Sequence, residues 1–280
     1  MQGHSAHQIL PKTLGSQAAR LVTGLHDRRR PIFSLRDVRD ITGASPKASR
    51  NLAASLVRHG VATRLKPGLF VLVPFELGSE RHYMGNPYVI ARELMQGEEY
   101  YLSHASAMDL HGMTTQPQLV VFTTSTTSHR RLTVLGTEFR FVRCQRKHFF
   151  GTADLWVDKT ERVTASDIER TLIDGLRQPE YCGGLSEVAR GFWMKRHQVD
   201  IQTLVSYALR LDIGAVISRL GFLLENYGVS APFEIEQLHS RLTNTYHLLD
   251  PTLPKEGRYF SRWRLQLNVT SEELLALTST

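Results

Sequence analysis

The sequence predicts an α+β protein in two parts. Residues 1–80 form a small helical unit closed by a hairpin, and residues 86–280 form a larger α/β domain with a mixed sheet and a helical C-terminal part. Three observations lead there. A chain of 280 residues exceeds the usual size of one domain. Charge is divided unevenly: residues 1–85 hold 13 Lys/Arg against 5 Asp/Glu, while residues 86–280 hold 21 against 22. The pattern also changes along the chain, from short helices and a hairpin, to strands between 119 and 164, to helices from 166 onward.

In the first part, Leu14, Ala18, Leu21, Val22 and Leu25 recur at helical spacing within residues 12–26. Arg28-Arg29-Arg30-Pro31 breaks that helix. Ser34 caps a second, with Leu35, Val38 and Ile41 on one face. Thr42-Gly43-Ala44 is a tight turn. Ser45 then caps a third helix and Pro46 takes its first position, where a missing N–H costs little. Gly60 stops it. Val61–Leu65 and Leu69–Val73 read as strands hinged on Lys66-Pro67-Gly68. Helices and hairpin in this order make a winged helix-turn-helix. Pro74 and residues 78–87 mark the boundary.

In the second part, Asn86–Glu93 and Ser103–Leu110 read as helices. Leu119–Thr124, Leu132–Leu135, Glu138–Arg143, Leu155–Val157 and Arg162–Thr164 read as strands. Ser166 with Glu169 suggests a capping box for a helix burying Ile168, Leu172, Ile173 and Leu176. Further helices are expected at 185–196, 200–211, 214–227 and 232–248, with a strand near Arg262–Leu267.

Ser45–Leu72 contains five Lys/Arg and no acid. On a helical wheel Ala48, Leu52 and Leu56 should pack inward, leaving Lys47, Asn51, Ala54 and Arg58 in one row beside Arg50. In a helix-turn-helix the second helix enters the major groove, and Asn and Arg match the edges of adenine and guanine. Ala54 permits close approach or contact with a thymine methyl. Ser45 and Ser49, near the helix start, are expected to hold phosphate oxygens through hydroxyls and free N–H groups, and Ser34 is expected among the DNA-binding residues. Arg64 and Lys66 are expected to reach the adjacent backbone or minor groove from the wing tip. An acid here would repel phosphate, which accounts for its absence. Arg28–Arg30 reads equally as a solvated helix end or a phosphate clamp. The expected partner is double-stranded DNA.

The winged helix is followed by YLSHASAMDLHGM (101–113), TASDIERTLIDGL (164–176) and YCGGLSEVARGF (181–192). With these segments in this order, residues 10–270 resemble the AbiEi-type antitoxins, transcriptional regulators of type IV toxin–antitoxin systems in bacteria. The resemblance implies a first domain that represses its own operon through inverted repeats in the promoter. It implies a second that neutralises a nucleotidyltransferase-like AbiEii-type toxin, without requiring a stable complex. Gly175 and the Met-bearing helix at 108–113 depart from the family picture only in detail.

The second part shows no catalytic pattern. Neither Gly15-Ser16 nor Gly78-Ser79 is followed by paired carboxylates on an apolar strand, as Mg²⁺ chemistry would need. His104, Asp109 and His111 lack metal-ligand spacing, and Gly183-Gly184 reads as a turn rather than a phosphate loop. No metal, cofactor or catalytic residue is expected. Arg130, Arg131, Arg143, Arg146 and Lys147 form either a charge-protected sheet edge or a second basic surface that extends DNA contact or touches RNA or toxin-bound nucleic acid. The alternatives are a DNA-targeted metal-dependent nuclease or nucleotidyltransferase, and a winged-helix regulator that senses a ligand. No apolar run approaches the ~18 residues of a membrane span, and the start lacks the pattern of a secretory signal. Cys144 and Cys182 are expected as reduced thiols, so a cytoplasmic location is expected.

Overall fold

A computed structural model of the chain describes residues 14–77, 85–95, 97–159 and 161–277. The chain divides into two compact units: Met1–Glu93 with Thr133–Gly136, and Leu94–Leu132 with Thr137–Thr280. Most of the boundary expected between 80 and 86 lies outside the described residues.

The first unit runs α1 (Ser16–Asp27), β1 (Ile32–Ser34), α2 (Leu35–Thr42), α3 (Pro46–Arg58), β2 (Ala62–Lys66) and β3 (Leu69–Leu72). Its antiparallel sheet has the order β1-β3-β2. Strand β1 was absent from the sequence reading because three residues are too few to show alternation. It pairs Phe33 with Phe70 in register, and the two rings stack at 5.5 Å. Pro67-Gly68 turns the β2–β3 hairpin between the paired Lys66 and Leu69, with Gly68 at φ +80°.

Helix α2 begins in a capping box. The Ser34 hydroxyl accepts from the Asp37 amide, and the Asp37 carboxylate accepts from the Ser34 amide at 2.8 Å. It ends at Gly43 in the left-handed region. Helix α3 starts from Ser45, whose hydroxyl accepts from the Ala48 amide, with Pro46 at its first position. Leu21, Leu25, Phe33, Val38, Ala53, Leu56 and Phe70 share one core, each of the larger ones contributing about 1.5–3 kcal/mol on burial. The inward face of α3 corrects the helical-wheel expectation. Ser49, Ala53 and Leu56 are buried, Ala48 is exposed, and Leu52 packs at the core margin.

Helix α4 (Pro87–Met95) contains the division between the units. The next elements are β4 (Tyr100–Leu102), α5 (His104–Leu110), β5 (Val120–Ser125), β6 (Leu132–Val134), β7 (Thr137–Arg143), β8 (Thr152–Trp156) and β9 (Arg162–Ser166). They build a sheet of order β6-β7-β5-β4-β9-β8. The β4–β9 and β5–β7 pairs are parallel, and β4–β5 and β8–β9 antiparallel, so the sheet is mixed as expected. Strand β4 has no counterpart among the sequence expectations, because three residues, two of them buried, are too few to show alternation.

Helices α6 (Ile168–Arg177), α7 (Leu185–Lys195), α8 (Ile201–Leu211), α9 (Gly214–Asn226) and α10 (Pro232–His239) follow. Then come a small sheet of β10 (His247–Leu248), β11 (Arg258–Phe260) and β12 (Leu265–Leu267), and finally α11 (Ser271–Ala276). Two expectations are corrected. Asp167, not Ser166, caps α6, accepting from the Arg170 amide at 2.7 Å; Ser166 is the buried end of β9. The helix expected over 232–248 stops at His239, and the chain continues into β10. The described residues are thus mixed α/β, with eleven helices, three sheets and no closed barrel among them.

Candidate nucleic-acid interface

The outward side of α3 carries Lys47, Arg50, Asn51, Ala54 and Arg58, all exposed. They project there because Ser49, Ala53 and Leu56, at positions i, i+4 and i+7, occupy the opposite side of the helix. Between α3 and the β2–β3 hairpin lies a groove of about 560 Å³, lined by Leu35, Arg50, Ala54, Val57, Arg64, Pro67, Gly68 and Phe70. Its floor is apolar, and Arg50 and Arg64 bring two guanidiniums to it from separate elements. Leu35, Val57 and Phe70 had no place in the sequence reading as site residues. They look like core positions in sequence, and in the structure they line the gap between helix and hairpin.

Two expected contacts are corrected. Ser49 is fully buried, and its hydroxyl donates to the carbonyls of Ser45 at 3.0 Å and Ala44 at 3.4 Å. Its work is to satisfy the start of α3 from within, so it is unavailable to phosphate. Ser34 spends its hydroxyl on Asp37, donating to the carboxylate at 2.7 Å while accepting from the amide. Ser45 remains exposed while it caps α3. Lys66 is only half exposed, and burial lowers its pKa. Arg64 is exposed on β2.

The arginine triplet after α1 divides its work. Arg30 donates to Asp37 at 3.0 Å and lies 4.0 Å from Glu93. Arg28 and Arg29 are exposed, Arg29 in the left-handed region at φ +52°.

In the second unit Arg130, Arg131, Arg143, Arg146 and Lys147 are all exposed. Arg143, Arg146 and Lys147 follow one another at the end of β7, while Arg130 and Arg131 lead into β6. Of these, Arg146 pairs with Glu99, while the neighbouring Glu138 is taken by Arg140 at 2.8 Å. The pattern fits a guarded edge as well as a docking face.

The remaining motif residues serve packing. His104 is buried, with Nδ1 2.9 Å from the Ser103 hydroxyl, and burial drives its pKa down to about 4. His111 bonds the Ser166 carbonyl at 2.7 Å. Gly183 and Gly184 take φ of +85° and +102°, and the amide of Leu185, at the start of α7, donates to Asp250 at 2.8 Å. A carboxylate from this chain therefore occupies that helix end. Among the described residues no three His, Cys, Asp or Glu side chains gather as metal ligands. No helix among them is long and apolar enough to cross a membrane.

No family model matches the chain, and no curated protein matches it. Among solved structures it is similar to the crystal structure of RV2827C protein from Mycobacterium tuberculosis. The TM-score is 0.71 at 16% sequence identity, over 96% of each chain. At that identity the likeness concerns the fold alone.

Proposed function

We propose that this chain is a sequence-specific DNA-binding repressor that autoregulates its operon and acts as the antitoxin of a type IV toxin–antitoxin pair. Its first unit is read as a winged helix-turn-helix, with α3 as the recognition helix and the β2–β3 hairpin as the wing. One observation carries this: the exposed, acid-free row of Lys47, Arg50, Asn51, Ala54 and Arg58, with Arg64 across the groove. The helix is held from behind by Ser49, Ala53 and Leu56, so its outer side chains are presented on a rigid element. Asn51 and Arg50 supply base-edge chemistry, while Lys47, Arg58 and Arg64 supply phosphate charge.

The antitoxin role rests on the resemblance to AbiEi-type regulators. Its functional partner is a nucleotidyltransferase-like toxin, its ligand is an operator with inverted repeats, and its place of action is the cytoplasm. A mobility-shift titration with the DNA upstream of its own reading frame tests the first half. Nanomolar binding that collapses in Arg50→Ala/Asn51→Ala supports the proposal, and indifference to those substitutions sinks it. Co-expression with the neighbouring toxin gene tests the second half, with growth rescue as the readout.

A further inference from the structure

The small sheet near the C-terminus has one face on the core and one on solvent. Leu265 and Leu267 of β12 are buried, and Phe260 of β11 packs on Phe222 at 5.9 Å. Strand alternation turns Gln266 to the opposite side, and Tyr259 joins it because it pairs with Gln266 across β11–β12. Tyr259 is 67% exposed and Tyr246 37%, and their rings meet edge to face at 5.2 Å. The Arg264 guanidinium lies 5.6 Å from the Tyr246 ring centre, its Nη1 3.4 Å from the tyrosine hydroxyl.

Three features set this patch apart from scattered surface aromatics, which carry no meaning singly. Two tyrosines and an arginine converge on one sheet face. Arg264 holds a left-handed backbone, φ +51°, at the end of the turn Ser261–Trp263, a conformation disfavoured for any residue with a Cβ. The cations beside the rings are Arg264 and the exposed Lys255, whose carbonyl lies 3.5 Å from Gln266 Nε2, against the exposed Glu256; Arg258 pairs with the buried Leu267 and so belongs to the other face. Arg262 is already committed to Glu225, at 2.5 Å.

We infer that this face binds single-stranded nucleic acid, its bases stacking on Tyr259 and Tyr246 and its phosphates meeting Arg264 and Lys255. Every base presents a π-face, so stacking is tolerant of sequence, and cationic side chains beside the rings follow the backbone. The site is separate in residues from the α3 groove and does not depend on the repressor reading.

The test is fluorescence anisotropy of the full chain with labelled twelve-nucleotide oligo(U) and oligo(dT), with duplex operator DNA measured in parallel. We expect Tyr259→Ala to weaken single-strand binding about tenfold, Tyr259→Phe to retain it, and duplex binding to stay unchanged in both. Arg264→Ala should weaken both oligonucleotides. A preference for oligo(U) would point to RNA through its 2′-hydroxyl, and parity or a preference for oligo(dT) to a site that needs no 2′-hydroxyl; each supports the site if Tyr259→Ala weakens binding as expected. The inference is overturned if the parent chain binds neither oligonucleotide, or if Tyr259→Ala binds them like the parent. It is also overturned if Tyr259→Phe loses as much as Tyr259→Ala. Loss of single-strand binding in Arg50→Ala/Asn51→Ala alone would assign it to the first unit.

Discussion

Arg170 Nη2 lies 2.9 Å from Asp174 Oδ1, one turn along α6, with the two side chains 0% and 3% exposed. Tyr101 closes the arrangement from β4: its hydroxyl accepts from Arg170 at 2.9 Å and donates to Asp174 at 3.2 Å. Burial works against the guanidinium charge, and Asp174 outweighs it, holding the Arg170 pKa above the ordinary arginine value. Burial likewise raises the Tyr101 pKa well above normal, so the phenol stays protonated. Helix and sheet are thus joined by a closed polar triangle inside the second unit.

Breaking that triangle from one side leaves a charge without its counterion. Asp174→Ala is expected to cost about 3–5 kcal/mol, read as a drop in the urea midpoint. Tyr101→Phe removes only a neutral hydroxyl and should cost about 1 kcal/mol. Equal losses in the two variants would contradict the buried ion pair as the organising contact.

His104 makes stability depend on acid. Its folded pKa, about 4, lies below the ordinary 6.5, so the unfolded chain binds the extra proton. The stabilisation is therefore complete above pH 6.5 and is lost as pH falls toward 4, at up to about 1.4 kcal/mol per pH unit. Denaturation midpoints measured across that window should decline. In His104→Asn, which tolerates the local φ of +52°, the decline should flatten. An unchanged slope would remove His104 as its source.

Gly221 on α9 faces the buried indole of Trp263. A Cβ there would come within 2.1 Å of Trp263 Cζ3, too close to relax without moving the ring. Gly221→Ala should therefore lower the melting temperature, with a loss of about 1–3 kcal/mol. A neutral result would mean that the indole re-seats freely.

On the proposed DNA-binding reading, Ser49 and Lys47 have different roles on α3. Ser49→Ala should cost about 1 kcal/mol of stability and leave operator affinity intact, since its hydroxyl bonds the Ser45 and Ala44 carbonyls. Lys47→Ala should leave stability alone and weaken binding on any duplex, reducing the salt slope by about one phosphate contact. Salt titrations on operator and random DNA distinguish them. A Lys47 effect confined to the operator would place it on a base instead.

Much of the first unit was legible in the sequence. Ser34, Ser45, Pro46 and Gly43 announce helix ends through local chemistry, and Pro67-Gly68 announces the hairpin, so α2, α3, β2 and β3 fall within a residue or two of expectation. The uneven charge was legible as well, because charge is a property of composition. The rotation of α3 was not. Ser49 reads as polar, and only the packed helices showed that its hydroxyl can turn back onto Ser45 and Ala44 and go inside. The second unit was legible as strands followed by helices. Strands β4, β10 and β11 are too short to carry a period and form only where neighbouring strands complete their hydrogen bonds.

By itself, then, the chain determined what near neighbours decide: caps, turns, helix stripes and where the basic residues fall. Tertiary structure alone decided that Arg170 would meet Asp174 and Tyr101 away from water, and that Arg50 and Arg64 would face one groove. It also decided that Tyr246 and Tyr259, thirteen positions apart, would share a sheet face. Contacts between residues distant in sequence depend on how whole elements pack, and a periodicity measured over a dozen residues does not contain that information.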